Sequence, residues 1–401
     1  MTFAAAVLVS CGVFYTLIVL LDIQELGTTA KLDAKTLFDL VKLSFGVVAG
    51  AGALVALVVA YRRQRVDEVG AHRETTRLHT ERFSQAVDKL GSDSPAVRLG
   101  GVHALAGLAD DAPTHAMRQT CIDVLCAYLR LPYPSDPGNL ADPQPEGNAP
   151  TNQQRDAHQD KKDRYRAFRE VRHTILRLIG DHYRIPHGSP GSWQRCDLDL
   201  TGVTIDNKMD FGGAVFSGGT VSFAGAVFSD GAVNFGGAVF SDGAVNFGSA
   251  VFSGSTVSFT GSVFSGSTVY LGRAVFSGGT IFSDTAVFSG GTVHFGGAVF
   301  SGSTVNFGGA VFSGAQVYLR DAVFSGGTVD FAGAKFSGST VYFDAAEFSD
   351  GTVSFGHAKF SDGTVSFDNA TGAAPDGLAA AVASASPGTV TLPTAWSSTS
   401  Y

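Results

Sequence analysis

The sequence predicts a repetitive β-solenoid that follows a membrane anchor and a helical region. From Phe211 to Phe367 the chain repeats a motif close to AVFSGGTVSFxG about thirteen times, and a fixed period of about 12 residues is typical of repeat architectures. Two uncharged apolar stretches, 3–21 and 44–61, lie near the N-terminus. Each is close to the roughly 20 residues that cross a bilayer as a helix. We therefore expect an anchor at 1–61 and a repeat domain at 196–370.

The second apolar stretch ends in Arg62-Arg63-Gln64-Arg65, and basic residues next to a span normally stay in the cytoplasm. This orientation places residues 62–401 in the cytoplasm and the loop 22–42 outside, so the expected location is the cell membrane, as a multi-pass protein. Lipid contact is expected through the two apolar stretches. The loop contains three lysines that oppose this orientation, Lys31, Lys35 and Lys42. The alternatives are a signal peptide at 3–21 and a buried core helix at 44–61.

Helical patterning continues through juxtamembrane and HEAT-like helices at 62–131, where Pro95 and Pro113 are expected in the first turns of two helices. The fragment SPAVRLGGVHALAGLAD resembles one helical unit of a HEAT or armadillo repeat. The segment 132–163 is rich in Pro, Asp, Asn and Gln, and it is predicted to be a flexible linker because it has too few apolar residues for a core. A further helix is predicted at 164–185.

The alternation of side chains along a strand predicts which repeat positions face inward. Pairs such as Ala226 and Phe228 place a small and a large residue on the same side, and the large residues recur with alternating steps of five and seven through Phe367. Three inward positions lack Phe: Leu271, Ser283 and Leu319. At Ser283 the alternatives are a bulge at Phe282 and an inward serine beside a small void.

A small residue two positions before each Phe or Leu resembles the pentapeptide-repeat family, whose usual quintet is Ala-Val-Phe-Ser-Gly. The resemblance covers 196–370 and implies a right-handed quadrilateral β-helix with four short faces per coil, followed by a C-terminal cap and tail at 371–401. Every second corner here is two residues longer, so we expect coils of about 24 residues instead of about 20. The apolar anchor, the YRRQR junction and the segment REVRHTILRLI also resemble actinobacterial membrane-anchored pentapeptide-repeat proteins.

A coil of only 12 residues, as in insect antifreeze proteins with Thr-x-Thr faces, is the alternative architecture. Thr220-Val221-Ser222 resembles such a face. Two Phe and one Val per coil would, however, need more interior than so narrow a coil has. The second outward position also varies, from Ser222 to Tyr270 and His294, whereas a lattice that matches ice would keep it constant.

Residues that could catalyse a reaction or bind a metal are few and isolated. Cys121 and Cys126 are expected to be core thiols, because only His103 and His115 lie near enough in sequence to complete a metal site. Four further histidines are expected to be structural or solvated, His182 and His187 beside the last helix and His294 and His357 on the coils. The Gly-rich turns lack the Lys-Ser/Thr of a phosphate loop. We expect no enzymatic activity, no cofactor and no metal.

The main functional hypothesis is a non-enzymatic, membrane-anchored scaffold or protein-interaction module that displays a cytoplasmic β-helix to an unidentified protein partner. Tyrosine and arginine are frequent at interface hot spots, and five outward residues of these types are expected near one line of the solenoid. They form the candidate interaction face: Tyr270, Arg273, Tyr318, Arg320 and Tyr342.

The alternative hypothesis is a DNA-mimicking inhibitor of a nucleic-acid enzyme such as a type II topoisomerase, as the resemblance implies for some soluble relatives. Four aspartates share one turn position of the repeat: Asp230, Asp242, Asp350 and Asp362. Basic residues interrupt this acidic pattern, namely Arg273, Arg320, Lys335 and Lys359. A direct nucleic-acid partner is not expected, since the net charge of −8 gives no general basic character.

Overall fold

The computed structural model describes residues 34–132, 134, 136–139, 151–206, 208–229, 231–386 and 389–397, together with the single positions 12, 15, 16 and 19. Apart from those four positions, the predicted span 3–21 lies outside the described residues, as do 140–150 of the predicted linker. The chain divides into two compact units, Met1–Leu78 and His79–Tyr401.

The first helix, α1 (Ala34–Leu90), begins before the apolar stretch, so the end of the predicted loop 22–42 is helical. Residues 62–90 continue the same helix, as the charged but proline-free sequence predicts. The side chains of Leu54 and Leu57 are 64% and 69% exposed, which is incompatible with a buried core helix. Among the described residues, one segment, Val41–Leu90, is a helix long and apolar enough to cross a membrane, judged by length and composition alone.

Two helices follow, α2 (Pro95–Asp110) and α3 (His115–Arg130). Pro95 occupies the first turn of α2, as predicted. The prediction for Pro113 is wrong, because the hydroxyl of Thr114 accepts a hydrogen bond from the Met117 N–H and makes Thr114 the N-cap of α3. Proline therefore precedes the cap instead of occupying the first turn.

The fourth helix, α4 (Asn152–Arg184), begins well before the predicted 164, within the segment expected to be a linker. A capping box explains the earlier start, because Thr151 and Gln154 satisfy each other's backbone N–H groups. The apolar side of α4 packs into the helical core through Val171, Ile175 and Ile179, all of them fully buried.

The remaining part of the second unit is a parallel β-solenoid of about eight turns, with about 24 residues per coil. Partners in neighbouring coils are one coil length apart, as Thr268 and Thr292 are. Each coil therefore contains two of the 12-residue repeats, and the alternative of a 12-residue coil is wrong. Strands of successive coils stack in four columns. The hand of the solenoid, expected to be right-handed, stays a prediction.

The first two columns begin where α4 and the turn after it lead into the solenoid. The first column contains Leu198–Asp199, Thr220–Ser222, Ala244–Asn246, Thr268–Tyr270, Thr292–His294, Gln316–Tyr318, Thr340–Tyr342, Thr364–Ser366 and Val390–Thr391. The second contains Thr204–Ile205, Val227–Ser229, Val251–Ser253, Val275–Ser277, the first half of Val299–Asn306, the first half of Val323–Asp330, Glu347–Phe348 and Thr371–Gly372.

The third and fourth columns complete the coil. The third contains Met209–Asp210, Ala232–Asn234, Thr256–Ser258, Thr280–Phe282, the second halves of the two long strands and Thr352–Ser354. The fourth contains Val215–Ser217, Val239–Ser241, Val263–Ser265, Val287–Ser289, Val311–Ser313, Lys335–Ser337 and Lys359–Ser361. The two long strands, Val299–Asn306 and Val323–Asp330, run through a corner and join the second and third columns into one sheet.

The interior of the solenoid is a set of stacked phenylalanine rings, and the predicted inward register is confirmed. Phe240, Phe264 and Phe288 stack with ring centroids 4.8 Å apart and interplanar angles of 3–4°. Small residues such as Ala298 are fully buried beside them. In-register parallel strands impose this spacing, because each coil repeats the same inward side chain one strand separation further along the axis.

Ser283 is the one place where the ring ladder of its column is interrupted among the described coils. The strand keeps its register through Phe282, which is 38% exposed, so no bulge forms. Ser283 faces inward and is buried beside a cavity of about 30 Å³ that Phe259 and Phe307 also line. Of the two alternatives, the inward serine beside a void is therefore correct.

Both ends of the solenoid are covered. At the first coils, the Tyr183 hydroxyl of α4 donates to the Cys196 carbonyl at 2.8 Å, and Arg172 donates to the Thr204 carbonyl at 2.8 Å. At the last coils, α5 (Leu378–Ala383) precedes the final strand, Val390–Thr391, and α6 (Thr394–Ser397) follows it. Trp396 of α6 donates its indole N–H to the Gly372 carbonyl at 2.9 Å. These caps protect the open strand edges from further pairing.

Candidate interaction surface

An aromatic column runs along the outer side of the first column of strands. The third residue of each Thr-Val-x strand points outward, because the valine between faces the core. Parallel pairing brings these outward residues into register in successive coils. In order they are Asn246, Tyr270, His294, Tyr318, Tyr342 and Ser366. The predicted alignment of the three tyrosines is therefore present in the structure.

The four rings of this column stack on one another. The centroids of Tyr270 and His294 are 5.0 Å apart with an interplanar angle of 3°, and those of His294 and Tyr318 are 4.9 Å apart at 9°. Tyr318 and Tyr342 follow at 5.3 Å and 14°. Aromatic neighbours on adjacent strands stabilise a sheet by up to about 1 kcal/mol per pair. We call Tyr270, His294, Tyr318 and Tyr342 the aromatic ladder.

Arg320 lies against the end of the aromatic ladder. Its guanidinium carbon is 4.6 Å from the ring centroid of Tyr342 and 6.0 Å from that of Tyr318. A guanidinium nitrogen also lies 3.2 Å from a carboxylate oxygen of Asp344. The Asp344 carboxylate in turn accepts a hydrogen bond from the hydroxyl of Ser366. The arginine is therefore held over the rings by a cation–π contact and an ion pair.

Arg273 lies at the corner that follows the ladder strand and is exposed. Its backbone has φ +58°, a left-handed conformation that glycine adopts at the corresponding corner of the next coil, at Gly297. The Arg273 side chain extends towards Gly297, whereas Arg320 lies over the rings. Arg273 is thus beside the ladder without belonging to it.

His294 points outward, as expected, but it is only partly solvated. The ring is only partly exposed, because Tyr270 and Tyr318 cover both of its faces. This burial lowers the pKa of His294 below its usual value, since the charged imidazolium loses hydration. A neutral imidazole therefore continues the stack at neutral pH. The spacing of one coil from each tyrosine is the sequence signal that could have revealed it.

The aspartates of the shared turn position do not form one acidic face. The repeat is half a coil, so alternate repeats place this turn on opposite corners. Asp242 and Asp362 follow strands of the fourth column, whereas Asp350 follows a strand of the second column. Asp230 lies outside the described residues. The described aspartates therefore lie on two sides of the solenoid, where a dense DNA-like charge pattern would need one.

The three described cysteines have the environment of core residues. Burial raises the pKa of Cys121 to about 11 and that of Cys126 to about 12, so both thiols stay protonated. The Sγ of Cys196 lies 3.7 Å from the Nε2 of His115, but burial raises the pKa of Cys196 to about 11 as well. A thiol in this state is a poor nucleophile. Among the described residues, no group of three or more His, Cys, Asp or Glu could hold a metal ion.

His182 belongs to a structural network near the start of the solenoid. Its Nδ1 lies 2.6 Å from the Leu178 carbonyl and its Nε2 3.2 Å from Asp110, which also accepts the indole N–H of Trp193 at 2.9 Å. Burial opposes the charged form of His182, but the hydrogen bonds to Asp110 and Leu178 outweigh it and raise the pKa. Both ring nitrogens are engaged, so the imidazole has no nitrogen left to serve as a base or a metal ligand.

Two larger cavities lie away from the aromatic ladder. One of about 400 Å³ is lined mainly by apolar side chains of the helices, including Val87 and Phe168. The other, of about 670 Å³, lies between α3, α4 and the first coils and is lined by Arg130 and Asp206 among others.

No protein-family model and no curated protein matches the chain.

Proposed function

We propose that this protein is a membrane-anchored, non-enzymatic scaffold of the pentapeptide-repeat type, whose β-solenoid lies in the cytoplasm and binds a protein partner through the aromatic ladder and Arg320. Tyr270, Tyr318 and Tyr342 are the principal contacts in this proposal. Arg320 supplies the charged contact, and Arg273 extends the surface at the neighbouring corner.

The assignment to the pentapeptide-repeat type is supported by the inward pairs of the repeat. Each coil carries a small residue and a phenylalanine on the same side, as Ala298 and Phe300 are, and both are buried. Four strand columns per coil agree with a quadrilateral cross-section. The right-handed coil of that family forms part of the proposal.

The anchor is supported by the exposed apolar surface of α1. A helix whose leucines and valines are exposed between residues 44 and 61 needs an apolar surrounding, and a bilayer provides one. The proposal places a second span at 3–21 and residues 62–401 on the cytoplasmic side, because Arg62, Arg63 and Arg65 follow the apolar stretch.

The aromatic ladder is the observation that carries the proposed recognition role. Its rings are held in register by the strands beneath them, so a partner would not have to order them on binding. Tyr270 is 43% exposed, and Tyr318 and Tyr342 are half-buried. Tyrosine and arginine are also the residue types that contribute most at protein interfaces. The DNA-mimicking alternative has less support, since Asp242 and Asp350 lie on opposite corners.

The test is co-purification from detergent-solubilised membranes with wild type and the variant Y270S/Y318S/Y342S. The wild type should retain a protein that the variant loses by about tenfold or more, the loss expected when hot-spot side chains are removed. The matched control changes exposed outward threonines of the third column, T256S/T304S/T352S, and should retain the partner. Equal capture by the wild type and the tyrosine variant would refute the ladder as the binding surface.

A further inference from the structure

Two opposite faces of the solenoid carry matching rows of outward-pointing, half-buried side chains. We call the outer surfaces of the second and fourth columns the second face and the fourth face. They alternate with the first and third columns around the coil and therefore lie on opposite sides. Each presents a row of valines in register. On the second face the row is Val227, Val251, Val275, Val299 and Val323. On the fourth face it is Val215, Val239, Val263, Val287 and Val311.

The two valine rows end in opposite charges. On the fourth face the row continues with Lys335 and Lys359. On the second face it continues with Glu347. All three side chains are exposed, and within the described part of the chain none of them has an ion-pair partner. Glu347 lies half a coil after Lys335 and half a coil before Lys359, so its axial height is between those of the two lysines.

From this arrangement we infer that the occupant of these faces is a second copy of the chain, and that the solenoids associate side by side with parallel axes. The fourth face of one copy packs against the second face of its neighbour at the same height. Glu347 of one copy then lies diagonally across from the pair Lys335 and Lys359 of the next, about 7 Å away along the strand direction, a distance that their long side chains can span. The complementary charges select this parallel arrangement, because antiparallel axes would place each charged end opposite valines.

The serine and valine rows of the second and fourth faces are also complementary in this side-by-side arrangement. Every strand of these faces carries a serine two residues after the valine, such as Ser253 and Ser265. Strands on facing sides of parallel copies run in opposite directions, so each valine row lies against the serine row of the neighbour. The rows are also offset by half a coil, about 2.4 Å, which seats bulky side chains between smaller ones.

The contact is heterologous and does not close on itself. Each copy uses its fourth face for one neighbour and its second face for another, so the association continues as a row. One face is about 10 Å wide and about 30 Å long, which is less than half of the roughly 800 Å² per partner in a stable interface. We therefore expect association at the high local concentration of a membrane, and this step rests on the proposed anchor.

Thiol cross-linking of the full chain in lipid vesicles tests the arrangement. The variant S253C/S265C, in a Cys11→Ser background, carries one thiol on each face at the matching height. The three remaining cysteines, Cys121, Cys126 and Cys196, are buried. A bifunctional reagent spanning about 12 Å, the sheet spacing of about 10 Å combined with the two-residue offset between the serines of facing strands, should give a ladder of dimers, trimers and longer species. Each single-cysteine variant should stay monomeric, because the contact joins two different faces.

The matched control is T256C/T268C, which has the same spacing along the chain but lies on the third and first columns. It should give no ladder. Reversing the lysines with K335E/K359E should lower the cross-linked fraction about tenfold, and adding E347K should restore it. Thermal melts of each variant establish that the solenoid is folded.

Three results would overturn the inference: no ladder from S253C/S265C, dimers from either single variant, or a ladder that ignores the charge reversal. Incorporation into the vesicles is scored separately by flotation. A protein that floats but does not cross-link refutes the side-by-side association and leaves the anchor intact, whereas a protein that does not float refutes the anchor.

Discussion

The imidazole of His294 lies parallel to the ring of Tyr318 with the two centroids 4.9 Å apart, and Tyr270 covers its other face at 5.0 Å. A titratable group thus occupies the middle of an otherwise uncharged stack. Protonation would place a charge where hydration is reduced on both sides, which is why the pKa of His294 is lowered.

This geometry predicts that His294 destabilises the folded state at acidic pH. The folded pKa lies below the unfolded value of about 6.5, so the unfolded chain binds the proton first as the pH falls. The free energy of unfolding should therefore decrease between pH 6.5 and the lower folded pKa. Denaturant titrations of the wild type and His294→Phe, which keeps the ring, should diverge over this range and differ by a constant amount above it. A difference that does not depend on pH would contradict the stacked, desolvated imidazole.

The phenylalanine ladder predicts a large loss of stability when one ring is removed. Phe300 is 2% exposed and stacks on Phe276 and Phe324 at 4.8 and 4.9 Å. Phe300→Ala should lower the free energy of unfolding by about 3–5 kcal/mol, because it loses transfer energy and leaves a cavity. Thr304, exposed on the same strand, is the control, and Thr304→Ala should stay within about 0.5 kcal/mol. Equal losses would mean that the inward register is wrong.

Asn306 also points outward on this strand, but it is a poorer stability control for Phe300→Ala than Thr304 is. Its side-chain oxygen accepts the N–H of Gly308 at 2.6 Å, so its replacement also removes a turn hydrogen bond. The expected loss of stability therefore differs between the two residues because of a local hydrogen bond, which the repeat pattern does not specify.

The gap at Ser283 predicts a stabilising substitution. Phe235 and Phe259 stack at 5.0 Å on one side of it, and Phe307 and Phe331 stack at 5.0 Å on the other. Ser283→Phe should complete the ladder and raise the free energy of unfolding by about 1–3 kcal/mol through added apolar burial. Ser283→Ala removes the hydroxyl without filling the space and should give a smaller change. A loss of stability in Ser283→Phe would mean that the neighbouring coils have closed over the gap.

The fold was predictable where one physical rule determines many positions. Alternation along a strand and the steps of five and seven place every inward residue, and the longer corners predict the 24-residue coil. The alignment of Tyr270, Tyr318 and Tyr342 follows from the same coil length. Nothing in the repeat specifies contacts between outward side chains, so the positions of Arg320 over Tyr342 and of His294 in the stack were not predicted.

The departures have local causes. The start of α4 depends on the capping box of Thr151 and Gln154, which lies inside a stretch whose overall composition favours a linker. The aspartates at 242 and 350 share a repeat position but lie on different corners, because one repeat is half a coil. In each case a single residue or a single spacing mattered more than composition.

The proposed membrane-anchored scaffold is best tested with a reporter that is active only in the cytoplasm, fused after Tyr401 and measured in membranes washed with alkaline carbonate. We expect the active fusion to remain in the washed membrane pellet, since the apolar stretches should hold it there and the basic residues after Tyr61 should keep the solenoid inside. Release of the fusion into the wash would contradict the membrane anchor. A silent reporter in the pellet, with an exported reporter active at the same position, would contradict the cytoplasmic orientation.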